Sequence, residues 1–333
     1  MRRMLGRVSF GLVAAGIAVA LLPPAARAQA PAASPPSERQ QEPDPKTPSL
    51  NDVNKALSNP VSDLWSITFQ QNNFRLKYQL PSDAAEFARG ETSDGERWSS
   101  NLLFQPVLPV GISDDWNLIT RPVIPLFVSQ PHPNPSRNSP FGTDRTTAFG
   151  DITLLQLVSP TEKLVGKWLL GIGPTWIFPT GASDYTGFGK YQVGPAAVVG
   201  YLSEKWILGA LAQNWTSFGG SDSREETNSM NLQPIASYFL HDGWSVGYSG
   251  NILANWKESG DDVWTVPIGA SVAKVVKFGK LPVRIALGGQ YMPIHPEQFG
   301  QKWNIQLIFA PVLPKLIKGN LTDPHDMTFG LKH

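Results

Sequence analysis

The chain has 333 residues, 17% of them charged, a formal charge of +1 and no cysteine. A near-neutral balance gives no electrostatic footprint for nucleic acid, and the absence of thiols excludes both a disulfide framework and a thiolate metal site. No apolar stretch after the first 28 residues is long enough for a membrane-spanning helix.

Arg2, Arg3 and Arg7 precede an apolar run from Val8 to Leu22, and Pro23-Pro24 and Ala26-Arg27-Ala28 come after it. That order of basic, apolar and small residues predicts a secretory signal peptide over 1–28, cleaved after Ala28. Its removal takes Arg2, Arg3, Arg7 and Arg27 with it and leaves the mature chain at −3. Residues 29–48 carry Pro31, Pro35, Pro36, Pro43, Pro45 and Pro48 among small and polar residues and read as an extended periplasmic linker. In the pre-barrel segment 49–71, Ser49 is placed to cap a short helix whose apolar face is Leu50, Val53 and Leu57, before Pro60 ends it. This segment is too short to fold alone, so its apolar residues are expected to bury against one end of the larger domain on its C-terminal side, partly occluding it.

Residues 72–313 alternate with period 2. From Trp244, one face reads Trp244, Val246, Tyr248, Gly250, Ile252, Ala254, Trp256, and the other reads Ser245, Gly247, Ser249, Asn251, Leu253, Asn255. The division recurs in Trp303, Ile305, Leu307, Phe309 against Asn304 and Gln306. Strands are expected near 72–80, 98–111, 116–130, 149–159, 167–180, 189–202, 205–218, 229–241, 244–257, 263–276, 281–293 and 302–313. Most are longer than the 5 or 6 residues or so usual in soluble sheets, as a tilted membrane strand requires. Tight turns at 113–115, 203–204 and 241–243 alternate with long polar connections at 81–97, 131–148 and 219–228, the short-periplasmic, long-extracellular asymmetry of outer-membrane barrels. The fold class predicted is all-β: a transmembrane antiparallel barrel of about 12 strands over 72–313 with a short N-terminal periplasmic helix. Residues 314–333, with Pro314 and Pro324, form a C-terminal tail after the last strand.

The alternation assigns inward positions. On the first three strands these are Arg75, Lys77, Asn101, Gln105, Asn117 and Arg121; on the later ones Gln233, Asn251, Arg284, Gln290, Asn304 and Gln306, with Gln156, Gln192 and Asn231 sharing the phase. Amides dominate and every charge is positive, so an open lumen would favour anions. Amides that merely fill and hydrogen-bond a narrow barrel are the competing explanation, since twelve strands lie between the filled and the open case. Trp116, Trp168, Trp206 and Trp244 each come just after a tight turn at the same offset, which predicts an interfacial girdle on the periplasmic side. Pro106, Pro122, Pro174, Pro195 and Pro234 lie at similar distances from their nearest tight turns. Each removes a ladder donor, and the belt either shapes the wall or opens it sideways to an apolar solute.

No constellation supports catalysis. His132, His241, His295, His325 and His333 fall in turns, loops or the tail, with no nucleophile at an evident reach. No histidine pair has ligand spacing, and neither a phosphate loop nor a dinucleotide motif is present, so no metal and no cofactor is expected.

The stretch from Leu57 to Trp65, with Phe69-Gln70-Gln71-Asn72-Asn73-Phe74, the Gln-Pro and Gly-Pro steps within strands and Phe149-Gly150-Asp151-Ile152, carries a resemblance. Over residues 55–313 the chain resembles bacterial outer-membrane proteins grouped under the phenol-degradation meta-pathway, some of them labelled neuromedin U. The resemblance implies a transporter-like barrel associated with aromatic compounds and supplies no catalytic residues. Barrels of this sort commonly finish on an aromatic at the chain end, whereas here a tail extends beyond Phe309.

The leading expectation is an outer-membrane channel for passive passage of small, apolar or aromatic solutes. Its partners would be outer-membrane lipid and lipopolysaccharide, the solute itself and the barrel-assembly machinery. A structural or adhesive barrel with ligand-binding loops, and a lipid-modifying outer-membrane enzyme, are the alternatives.

Overall fold

Residues 48–79, 94–133, 143–297, 299–315, 317–323 and 327–329 are described by the computed structural model, all of them within the unit Pro45–His333. The expected signal peptide, and the linker apart from Pro48, lie outside the described residues. A helix, α1 (Leu50–Ser58), precedes fourteen main strand segments. The first seven are β1 (Ser66–Gln79), β2 (Asp94–Gly111), β3 (Trp116–Pro133), β4 (Thr143–Phe149), β5 (Ile152–Pro160), β6 (Trp168–Phe178) and β7 (Lys190–Leu202). The rest are β8 (Trp206–Gly220), β9 (Asn228–Phe239), β10 (Trp244–Tyr248), β11 (Ile252–Asn255), β12 (Trp264–Phe278), β13 (Leu281–Ile294) and β14 (Gln301–Pro311). A short helix, α2 (Glu162–Val165), fills the β5–β6 turn.

All neighbours pair antiparallel. Because β4 and β5 both pair with β3, they form one interrupted stave. Likewise β10 and β11 share β9 and β12 as neighbours. Twelve staves result, and β1 closes on β14 with Phe69 opposite Phe309. Closure leaves no free sheet edge, so a chain without cysteine keeps every ladder partnered through covalent continuity and hydrogen bonds alone.

Ile172, Val199, Leu208, Ile268, Leu287 and Ile305 are exposed on the outer face. The inner face divides into two arcs. On β3 and β5 through β9 its part nearer the tight turns is apolar, where Ile119, Leu155, Leu157, Leu169, Val198, Ile207 and Leu211 form one buried cluster, while farther along the same strands Arg121, Thr175, Gln213 and Gln233 are polar. From β13 through β14 and β1 to β2 it is lined by amides.

Strands run beyond the sequence expectation at three places. β1 starts at Ser66, six positions early, β2 starts at Asp94 inside an expected loop, and β3 and β4 run on together to the pair Pro133 and Thr143. In the extensions of β2, β3 and β4 both faces are polar, so backbone pairing continues where side-chain alternation has stopped, whereas in β1 Ile67 and Phe69 keep alternating with Ser66, Thr68 and Gln70. The stretch 244–257, expected as one strand, is broken at 249–251, where Gly250 takes φ +132, a conformation that residues with a Cβ rarely adopt. The tail does not simply trail away: Leu321 and Thr322 donate backbone N–H groups to the carbonyls of Gly111 and Ile112 at 2.9 and 3.0 Å. Asn320 bonds Asp114 Oδ1 at 2.7 Å, tying the tail to the β2–β3 turn.

Candidate functional site

The barrel encloses a cavity of about 440 Å³. Asn101, Gln105, Arg121, Gln233, Asn251, Arg284, Gln290, Asn304 and Gln306 all line it, as do Gln70, Asn72 and Gln213. Asn117 shares the parity of buried Ile119 at the periplasmic end of β3 and does not reach the cavity.

Arg75 and Lys77 are a correction. On β1 the cavity is lined by Ser66, Thr68, Gln70, Asn72 and Phe74, so the odd-numbered residues point outward. Arg75 lies over the ring of Trp98 at 5.3 Å and pairs with Glu96, and Lys302 bonds the other Glu96 oxygen at 2.8 Å. The phase was ambiguous because β1 carries amides on both faces. Outward Gln71 and Asn73 satisfy each other's needs through Ser100 Oγ, at 2.7 and 3.0 Å. Gln156 also points outward, since its neighbours Leu155 and Leu157 belong to the inner cluster.

The amide arc is one connected network. Arg121 donates to Gln105 Oε1 at 2.5 Å, Gln105 to Gln70 Oε1 at 3.2 Å, and Gln70 to Asn72 Oδ1 at 3.2 Å. Asn304 donates both to Asn72 Oδ1 and to Gln290 Oε1 at 3.3 Å, and Gln290 donates to Ser249 Oγ at 2.9 Å. The track thus runs from Arg121 on β3 around the wall to Ser249 at the broken stave. In a low-dielectric enclosure, such bonded amides are held in place, whereas an unbonded one is costly.

The end of the barrel that carries the tight turn 241–243 is crossed by the chain's own pre-barrel segment. α1 is secured by a capping box between Ser49 and Asp52. Its fully buried Asn54 donates to Gly243 O at 3.0 Å and accepts from Arg284 Nε at 3.2 Å. Asn51 Oδ1 accepts from Gly243 N at 2.7 Å. Beyond the helix, Val61 packs on the apolar cluster, and buried Trp65 donates to Pro109 O at 2.7 Å. Sequence reasoning placed this segment at the mouth; its partners Gly243 and Arg284 carry no local signal and become visible only in three dimensions.

Trp116, Trp168, Trp206 and Trp244 are the first residues of β3, β6, β8 and β10, and all four are exposed on the outer face. Lys274 Nζ lies 4.7 Å from the centroid of the Trp244 ring. The wall prolines coincide with gaps in the ladders. Pairing skips from Phe104–Ile124 to Leu108–Thr120 around Pro106 and Pro122, from Leu155–Thr175 to Val158–Ile172 at Pro174, and from Val193–Thr216 to Ala196–Gln213 at Pro195. The gap at 249–251 is flanked by Pro234 on β9 and by Pro267 on β12, the latter missed in the sequence. Tyr248, Ser249 and Gly250 line the cavity from within this gap.

Asp151 accepts backbone N–H bonds from Gly181 at 2.8 Å and Phe188 at 2.6 Å, pinning the β6–β7 loop to the start of β5. This gives the Phe-Gly-Asp-Ile stretch a structural role. His132 stacks on Tyr185 at 3.8 Å, His241 pairs with Asp242 and His295 meets Pro296 O. His325 and His333 lie outside the described residues. Among the described residues no group of three or more His, Cys, Asp or Glu side chains is placed to hold a metal ion.

No curated protein sequence matches the chain. Among solved structures, it is similar to an outer membrane channel from Pseudomonas putida F1, with a TM-score of 0.52 and 17% identity, covering 77% of this chain and 98% of that one. It also aligns with the NanC porin, TM-score 0.40 and 7% identity over 74% and 99% of the two chains. A third is outer membrane phospholipase A from Escherichia coli, TM-score 0.37 and 12% identity over 79% and 98%. The first of these shares the barrel fold. The family model described as "Putative MetA-pathway of phenol degradation" matches residues 67–281, more than half the chain, and the chain belongs to that family.

Proposed function

We propose that this protein is an outer-membrane channel for the passive passage of small, largely apolar or aromatic solutes, exported behind a signal peptide removed after Ala28. One observation carries the reading: a closed barrel, apolar outside, encloses a cavity of about 440 Å³ whose wall mixes amides such as Gln105, Gln213 and Gln290 with apolar side chains such as Leu103, Val123 and Leu155. A filled structural barrel has no use for such a space, whereas an amphipathic solute is complementary to a wall of mixed polarity. Outer-membrane lipid and lipopolysaccharide surround it, the barrel-assembly machinery inserts it, and neither nucleic acid nor a cofactor is involved.

The pre-barrel segment across the mouth makes the resting path narrow, so passage of polar solutes is slow. The ladder gap at 249–251, lined from inside by cavity residues and bordered by Pro234 and Pro267, supplies a side route for apolar ones. Uptake into proteoliposomes tests both statements. Benzyl alcohol should equilibrate faster with protein than without, while a disaccharide should not. Equal rates for benzyl alcohol in protein-free and protein-containing vesicles would remove the channel reading.

A further inference from the structure

We infer that the cavity holds a binding site for a carboxylate with an apolar body, centred on Arg121. The inference rests on reading the interior as a solute path and names the solute class that path selects.

Three observations converge on Arg121. Its guanidinium has one side-chain partner, Gln105 Oε1, and its Nε is buried with no hydrogen-bond partner in the protein. A planar guanidinium with N–H groups left over is matched by the two oxygens of a carboxylate. Second, no Asp or Glu stands among the described residues lining the cavity, so the charge has no counterion of its own. The other lining arginine, Arg284, is already engaged by Asn54 Oδ1. Third, Arg121 sits where amide and apolar side chains meet on the cavity wall. Gln105 on β2 bonds it, Leu155 on β5 faces it directly across the ladder, and Val107 and Val123 line the cavity beside it.

These features sort ligands by chemistry. A neutral aromatic satisfies the apolar arc and leaves Nε unmade. A cationic amine meets two arginines and no carboxylate. A carboxylate joined to an aromatic or short aliphatic body satisfies the guanidinium and the apolar wall together.

Isothermal titration of the detergent-purified full-length protein with benzoate, benzyl alcohol and benzylamine decides the matter. Benzoate should bind about tenfold or more tightly than benzyl alcohol, and benzylamine weakest, as charge-assisted bonds exceed neutral ones. Arg121→Gln should reduce benzoate to the level of benzyl alcohol without moving benzyl alcohol, and Arg121→Lys should retain part of the preference. Benzoate no tighter than benzyl alcohol on the native protein, or unaffected by Arg121→Gln, overturns the site. The native ranking decides alone if Arg121→Gln loses the heat-modifiable gel mobility of a folded barrel. Flux of benzyl alcohol without preferential benzoate binding ends this inference and keeps the channel. Benzoate binding without flux of any solute keeps the site and ends the channel.

Discussion

The two arcs of the inner wall are held together by different physics. The apolar arc, with Leu157, Ile207 and Leu211 fully buried, is stabilised by surface removed from water, roughly 1.5–3 kcal/mol for each large aliphatic side chain. The amide arc is stabilised by hydrogen bonds whose net worth is only about 0.5–1.5 kcal/mol each, yet whose loss leaves buried groups unmade. The apolar cluster is filled and serves as a docking wall for the pre-barrel segment; the amide network faces open volume as a prepared polar surface. Val61 packs on the first, and the cavity opens beyond it, lined from both sides of the barrel.

The largest expected effect comes from removing the segment that spans the arcs. Deleting residues 48–64 should raise single-channel conductance severalfold, because Asn54 no longer engages Arg284 and the cluster loses Val61. Unchanged conductance in a well-folded deletion would show that the segment does not obstruct the path.

Next in size is a direct contrast between arcs. Leu211→Ala should cost about 2–5 kcal/mol by leaving a cavity in the cluster, while Asn72→Ala should cost about 1–3 kcal/mol by orphaning its partners Gln70, Asn304 and Gln306. Thermal melts in detergent rank them, and the reverse ranking would mean that the amide network, not the apolar cluster, carries the wall.

Charge comes third. With Arg121 and Arg284 as the described charges on the cavity wall, the pore is expected to prefer anions, and Arg121→Glu should move the reversal potential toward cations in a salt gradient. Cation preference in the native protein would show that these arginines do not set the field along the path. The smallest effect tests the corrected phase of β1: Arg75→Gln should leave the reversal potential where it was, because Arg75 faces Trp98 and Glu96 on the outer wall. A clear shift would return Arg75 to the lumen.

Most of the barrel was legible in the sequence because an outer face that must be apolar forces a period of 2, as in Ile305, Leu307 and Phe309 against Asn304 and Gln306. Phase was legible only where that constraint acts on one face. On β1 the run Gln70-Gln71-Asn72-Asn73 is polar on both faces, and no local rule says which amide points inward; Ser100 on the neighbouring strand decides it. The break at Gly250 was invisible because side-chain alternation continues through it while the backbone pairing does not. The apolar arc was legible as strands but not as a shared inner cluster, since Leu157 on β5 and Leu211 on β8 meet only after the staves are ordered in space. The partners of α1 were out of reach for the same reason, with 189 residues separating Asn54 from Gly243.

That separation has a consequence for biogenesis. Asn54 is made early and its partners Gly243 and Arg284 late, and the first strand hydrogen-bonds the last main one, with Phe69 opposite Phe309. Contacts of such long sequence range are the slowest to form, so the helix has no seat until the C-terminal third of the chain has been delivered. Seating of α1 is therefore a report of completion: a truncated chain ending before β13 would carry an undocked N-terminal segment, a ready handle by which periplasmic proteases distinguish unfinished barrels from finished ones.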